Sequence, residues 1–413
     1  MTSSFQDMLY LFKCTSRGDA AELKRSMDFK HIYDIAVEQQ VFPIIFPEIE
    51  NAYNNGYFEI EKKDFENKKN NIMSAIINGI QKQELMKKVL KKMEEADVHC
   101  ILLKGALLAD LYFRPENRLS GDIDLYVSPD KEKEAIDILK ECGFSVEKRL
   151  DTEHHSDCTH KVIKSLELHV SLYEDYCTDI WFDSISYKID DFEKYTTKQG
   201  YTYNTFLIDD QLIFNVLHLI KHFLSSGLGI RQIMDVILFI EQNYEKIDYE
   251  NYSSIMKKLK FDYFMDCCMK IGVDYLGADP KKLLWINNYK IKDEDCIKIL
   301  EDIEEAGLFG HNDEHRRTFT NAYTEALYKS KFEDCGEEYK KKRQRSVLLS
   351  VVFLDYERMK LNYSYLKHGR WLLPVAWIHR GIKFIFKKKD VKKLENTDMQ
   401  EKHLELMRDM KIL

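Results

Sequence analysis

Proline is scarce in this chain, six in 413 residues, and no stretch is rich in Gly, Ser and Pro. Helical segments therefore meet few breakers, and no flexible linker marks a domain edge. Also missing is any apolar run near the length that spans a bilayer. Met1-Thr2-Ser3-Ser4-Phe5-Gln6-Asp7 has no positive region followed by an apolar signal core, so a cytoplasmic location is expected. The nine cysteines, at positions 14, 100, 142, 158, 177, 267, 268, 296 and 335, include no C-x-x-C pair and read as reduced, packed thiols. A basic excess is lacking too. With 62 Lys and Arg against 70 Asp and Glu the net charge is −8, which argues against broad sequence-independent nucleic-acid binding but leaves room for a local basic groove. No internal repeat stands out. The length exceeds a typical single domain, so a small catalytic core with helical additions is expected.

What is present changes character along the chain. Residues 1–97 read as helical, ending in a long charged helix whose Ile72, Met73, Ile76, Ile77, Ile80, Leu85, Met86, Val89, Leu90 and Met93 form a stripe expected to be buried. Residues 98–200 carry short β-like runs at Val98 to Leu103, Asp122 to Val127, Phe144 to Arg149, Lys161 to Ile163 and Leu166 to Leu172, around a helix near Lys131 to Cys142. Helical periodicity returns from about residue 205, in Asp210 to Leu224, Ile230 to Asn243, Tyr252 to Leu276, Asp293 to Ala306 and Glu314 to Lys329. Residues 341–413 hold an apolar segment, Trp371 to Phe386, interrupted by Pro374 and followed by the basic run Lys387 to Lys393. This last segment is read as a terminal helix packed on the core, with a solvated basic end.

The most informative stretch is Gly121-Asp122-Ile123-Asp124-Leu125-Tyr126-Val127. Two carboxylates at i and i+2 of a strand share one face, and such like charges call for a cation. Hard oxygen donors of this kind suit Mg²⁺ bound together with substrate phosphates, which points to nucleotide chemistry. Upstream, Leu103-Lys104-Gly105-Ala106 reads as a strand end turning at a glycine into a helix whose free amides could receive phosphate. Lys104 and Arg118 are the candidate phosphate cations. Downstream, Leu166-Glu167-Leu168-His169 places Glu167 and His169 on one strand face, and Glu167 is the candidate third carboxylate, with Glu147 or Asp151 as substitutes.

These segments, together with Arg118-Leu119-Ser120-Gly121-Asp122-Ile123-Asp124-Leu125, resemble nucleotidyltransferases of the DNA polymerase beta-like superfamily, in particular a bacterial branch of uncharacterised nucleotidyltransferase family proteins. Weaker similarity extends through His218 to His222 and Trp371 to Ile378. The resemblance implies an α+β fold, a small mixed-sheet nucleotidyltransferase core at 98–200 embedded in helical regions at 1–97, 201–340 and 341–413. It implies catalytic and metal-binding roles for Asp122, Asp124 and Glu167, nucleotide contacts by Lys104, Gly105 and Arg118, and Mg²⁺ or Mn²⁺ as cofactor in two-metal catalysis. An NTP would give its nucleoside monophosphate to a hydroxyl of a small molecule, a protein or an RNA end. The chain departs from the superfamily at Ala106, where Ser is common, and in the 16 residues between Gly105 and Asp122. Two other readings compete: a D-x-D glycosyltransferase using a nucleotide sugar, and a degenerate fold kept as a binding or antitoxin-like protein.

Four further features are weighed against structural roles. His154, His155, Cys158 and His160 match no standard zinc spacing and read as a polar loop or hairpin beside the cleft. His169 is expected to flank the site as a hydrogen-bond partner. His218 and His222 share a helical face, as do Arg231 and Asp235; the simplest roles are packing and an intrahelical ion pair.

Overall fold

Helices occupy most of the first 95 residues because their apolar positions recur at helical spacing, and the first two have capped starts. In α1 (Ser3–Arg17) the side chain of Thr2 accepts the Phe5 amide, and Phe5, Met8, Leu9 and Phe12 are buried along one face. Asp28 caps α2 (Phe29–Glu38) in the same way, accepting the His31 amide at 3.1 Å, and Pro43 occupies the first turn of α3 (Phe42–Asn54). The 34 residues of α4 (Lys62–Glu95) make a rod about 51 Å long at 1.5 Å per residue. Its apolar stripe is buried only toward its ends, at Phe65, Ile72, Met86, Val89 and Met93; Met73, Ile77 and Ile80 are exposed, contrary to the expected continuous stripe. A hydrophobic pattern reports what a helix can bury, not how far a neighbour extends along it.

The computed structural model describes residues 1–147, 149, 154–172, 181, 184, 191–225, 227–283, 290–306, 356, 359, 363, 365–366, 369–379 and 397–412. The chain divides into two units, Met1–Ile220 with Leu228–Leu308, and Lys221–Gly227 with Phe309–Leu413. In the first, five strands form a mixed sheet in the order β1 (Cys100–Leu103), β2 (Ile123–Val127), β5 (Leu166–His169), β4 (His155–Thr159), β3 (Ser145–Glu147). The central pair β2 and β5 runs parallel and the other pairs antiparallel. Directly paired residues share a face. One face carries the row Leu102, Leu125, Leu168, Ser156, and the other carries Leu103, Asp124, Glu167, Asp157, Glu147. Register alone thus sorts an apolar side from an acidic one.

Between β2 and β3 runs α5's successor on the chain, helix α6 (Glu132–Glu141), which buries Ala135, Ile136, Ile138 and Leu139; α5 itself is the short Gly105–Asp110. The expected strand at Lys161 to Ile163 is instead a turn, closed by the His160 amide on the Ile163 carbonyl at 2.7 Å, and the strand lies earlier, at His155–Thr159. Its inward residues are Ser156 and Cys158, small side chains that leave no apolar alternation to read. A second hairpin, β6 (Phe192–Thr196) with β7 (Thr202–Phe206), lies beside β1, where Asn204 Nδ2 donates to the Cys100 carbonyl and so satisfies an edge acceptor.

Helices α7 (Ile208–Ser225), α8 (Ile230–Asn243), α9 (Tyr249–Leu259), α10 (Asp262–Leu276) and α11 (Asp293–Ala306) follow. The expected single helix from Tyr252 to Leu276 is two, because Lys260 adopts a left-handed φ of 60° that ends α9. In the second unit, Met359, Tyr363, Leu366 and Ala376 form a buried cluster, residues 373–379 are helical with Pro374 in the first turn, and α12 spans Thr397–Asp409. The expected helix at Glu314 to Lys329 and the basic run Lys387 to Lys393 lie outside the described residues. Among the described residues no helix is long and apolar enough to cross a membrane.

Candidate active site

Asp124 and Glu167 are direct partners across the parallel pair β2 and β5, so their carboxylates project side by side from the acidic face. Asp124 is buried; Glu167 is half-buried. His169, two residues after Glu167 on the same face, places Nε2 at 3.1 Å from Asp124 Oδ1 and 3.2 Å from Glu167 Oε2. The three residues offer ligand atoms within 4.8 Å of one another. Asp122, two residues before Asp124, precedes β2 by one residue and is exposed to solvent, outside the Asp124–Glu167–His169 group.

Lys104 completes the cluster from the end of β1. Its Nζ lies 3.0 Å from Asp124 Oδ2 and 3.5 Å from His218 Nδ1. The backbone that delivers it is unusual: Lys104 has φ 53° and ψ −120°, followed by Gly105 at φ 35°. A non-glycine residue at such angles carries strain of about 1–3 kcal/mol, and strain of this kind gathers at functional sites. An added Cβ on Gly105 would meet no atom within 4 Å, so conformation rather than space calls for glycine there.

The electrostatics are those of one ionised network. Burial opposes charge on Asp124, yet the Lys104 ammonium and the His169 hydrogen bond outweigh it and hold the carboxyl well below the usual range. The same His169 bond lowers Glu167. Burial works against protonation of His169 and Lys104, but their acidic partners prevail and both are raised. Asp122 is raised by lost hydration on its protein side and by the charge of Asp124, although its outer side faces water. Two adjoining carboxylates, oriented by the His169 imidazole and with a lysine already neutralising one of them, make an oxygen donor set that fits a divalent cation.

A protein-family model described as an uncharacterised nucleotidyltransferase matches residues 25–277, more than half of the chain. The chain belongs to this uncharacterised nucleotidyltransferase family. Membership supplies the general kind of reaction, nucleotidyl transfer, and with it an NTP as substrate class. No curated protein matches. Among solved structures, the antibiotic-resistance factor ANT(2'')-Ia is similar at 13% identity and a TM-score of 0.32, over 45% of this chain and 95% of that one. A structure of a tRNA-processing enzyme complex is similar at 13% identity and a TM-score of 0.20, over 71% of this chain and 99% of that one.

Arg118 does not stand among the acids. Its Nε and Nη2 donate to Asp235 Oδ1 and Oδ2 at 2.8 and 2.6 Å, both side chains are buried, and Tyr112 Oη donates to the same carboxylate at 2.8 Å. Nη1 reaches only toward the Gly105 carbonyl, at 3.5 Å. The expected phosphate cation is therefore engaged as a brace beneath the Lys104-Gly105 turn. Asp235 pairs with Arg118 rather than with Arg231, whose Nη1 donates to the Leu119 carbonyl at 3.1 Å. Helix α5 has six residues, so its start offers a turn more than an extended amide cradle. Glu147 sits in the acidic row but two strands beyond Glu167, and Asp151 lies outside the described residues. Missed by sequence reasoning was Asp157, which forms a further group of possible ligands with Glu167 and with His155, a member of the histidine cluster read as a hairpin beside the cleft.

Proposed function

We propose that the chain moves a nucleoside monophosphate from an NTP to a hydroxyl acceptor, on a core of DNA polymerase beta-like type within residues 98–200. Asp122, Asp124 and Glu167 are the catalytic carboxylates in this reading. The observation that carries it is the Asp124–Glu167 pair on adjoining strands, facing a lysine held in a strained turn. A divalent cation, Mg²⁺ or Mn²⁺, bound at these carboxylates supplies Lewis-acid neutralisation of the phosphates and acidifies the acceptor hydroxyl.

The chain's own residues do the rest. His169 fixes the orientation of both carboxylates through Nε2. Lys104, a compact charge on a flexible stem, turns from Asp124 to the phosphates as negative charge builds up there. The Arg118–Asp235 brace keeps the turn that aims it in place. The acceptor hydroxyl gives up its proton to solvent water, its oxygen bonds to the α-phosphorus, the bond from that phosphorus to the bridging oxygen breaks, and pyrophosphate leaves. The test is incubation with labelled NTPs and Mg²⁺ or Mn²⁺ over small-molecule, protein and RNA acceptors. Label transfer with pyrophosphate release, lost in Asp124→Asn, is expected; no turnover across the panel would overturn the reading.

A further inference from the structure

Folding takes apart the histidine and cysteine cluster that is visible in the sequence. Cys158 is buried on the apolar face, and His160 stays in its turn, with Nδ1 accepting the Val162 amide at 3.1 Å and the ring against Phe144. His154 and His155 instead meet His169 from the neighbouring strand. The three ring centroids are 4.4, 5.3 and 5.2 Å apart, and each ring offers a nitrogen within 4.8 Å of the other two.

Three observations point to a ligand. His154 Nε2 and His155 Nδ1 are 3.1 Å apart, a hydrogen-bond contact between the rings whose spacing is also close to the roughly 3.3 Å between two imidazole ligands on a tetrahedral zinc with bonds near 2.05 Å. His169 is 7% exposed, and its Nδ1 has no hydrogen-bond partner among the described residues. Its other nitrogen, Nε2, is held by Asp124 and Glu167. An imidazole whose one nitrogen rests on carboxylates while the other is unmet has the carboxylate–histidine arrangement that orients metal ligands. Nearby, His155 Nδ1 lies 4.0 Å from Glu167 Oε2.

We propose that His154, His155 and His169 form a second cation seat, selective for an imidazole-seeking divalent ion such as Zn²⁺ and adjoining the carboxylate seat at Glu167. Imidazole suits Zn²⁺, whereas Mg²⁺ keeps to oxygen, so the two seats discriminate by donor chemistry. Ligation through His169 Nδ1 would lock the tautomer with its proton on Nε2, pointing at Asp124 and Glu167. The seat goes beyond the nucleotidyl-transfer reading and does not require it: absent turnover with an intact zinc seat sinks that reading alone.

The test uses the full chain, stripped of metal and titrated calorimetrically with Zn²⁺ in saturating Mg²⁺, with zinc X-ray absorption on the complex. One Zn²⁺ per chain, at least two imidazole ligands, and a tenfold or greater weakening in a His154→Gln, His155→Gln double variant are expected, with Asp124→Asn still binding. Zn²⁺ displaced by Mg²⁺, or bound equally by the double variant, overturns the proposal. Should the double variant fail to fold, the absorption spectrum of the native complex decides: an all-oxygen shell overturns it.

Discussion

Replacing Asp235 by Ala should destabilise the protein far more than its distance from the acidic cluster suggests. The side chains of Arg118 and Asp235 are 6% and 8% exposed and meet through two short hydrogen bonds, while Tyr112 Oη rests on the same carboxylate. Removing one member of such a pair leaves an uncompensated buried guanidinium, a loss of about 3–5 kcal/mol. The stranded Tyr112 hydroxyl adds about 1 kcal/mol or more. Against a total stability of about 5–15 kcal/mol, this consumes about a quarter or more. Urea unfolding followed by circular dichroism reads the effect as a lowered midpoint. An Arg118→Met, Asp235→Leu double variant should lose less than Asp235→Ala, because an apolar pair strands no charge. Arg118→Lys separates brace from phosphate contact: as a brace it loses the bidentate geometry and lowers stability, whereas a phosphate contact would raise KM for NTP and leave the midpoint unmoved. A stability loss under about 1 kcal/mol in Asp235→Ala, or a double variant worse than both singles together, would refute the buried-pair reasoning.

In labelled-NTP assays, Asp124→Asn and Glu167→Gln should each lower turnover by roughly 10²-fold or more while thermal melting shows a folded chain; wild-type rates in either would remove that carboxylate from the site. Lys104→Met leaves Asp124 without its ammonium, so Mn²⁺ should raise its melting temperature more than it raises that of the native protein. An equal rise in both would show that cation and lysine do not compete for the same carboxylate. Asp266 supplies a pH test away from the site, since burial, aided by Asp262, pushes its carboxyl up to about 7. With the folded value above the unfolded one, the unfolded chain binds fewer protons between about pH 4 and 7, so the Asp266 contribution to stability falls as pH rises through that window. The ceiling is ~4 kcal/mol, at about 1.4 kcal/mol per unit. Asp266→Asn should therefore melt higher than the native protein at pH 8 and equally at pH 4; equal melting at both would remove the assignment.

Chemistry that lies within one segment was legible in the sequence. Alternation puts Glu167 with His169 on a common face, and the Lys104-Gly105 turn shows as a strand end at a glycine. Relations between segments were not. Arg118 and Asp235 stand 117 positions apart, and the available signal was subtler: an acid inside the apolar run Ile233-Met234-Asp235-Val236-Ile237 must find a buried cation. Strand β4 escaped as a strand because Ser156 and Cys158 fill its inward positions, which hid Asp157 with it, although the histidines at its start were visible as a cluster.

The choice of third carboxylate shows what register adds. Glu147 and Glu167 both belong to the acidic row, and alternation within their own strands treats them alike. Strand order separates them: Glu167 is one strand from Asp124, and Glu147 is three, across β5 and β4. At about 4.8 Å per strand, Glu147 stands roughly 14 Å from Asp124, beyond any shared ion, while Glu167 is within reach of one. That step follows from β2 pairing parallel to β5, a contact between residues more than 40 positions apart that no local pattern encodes.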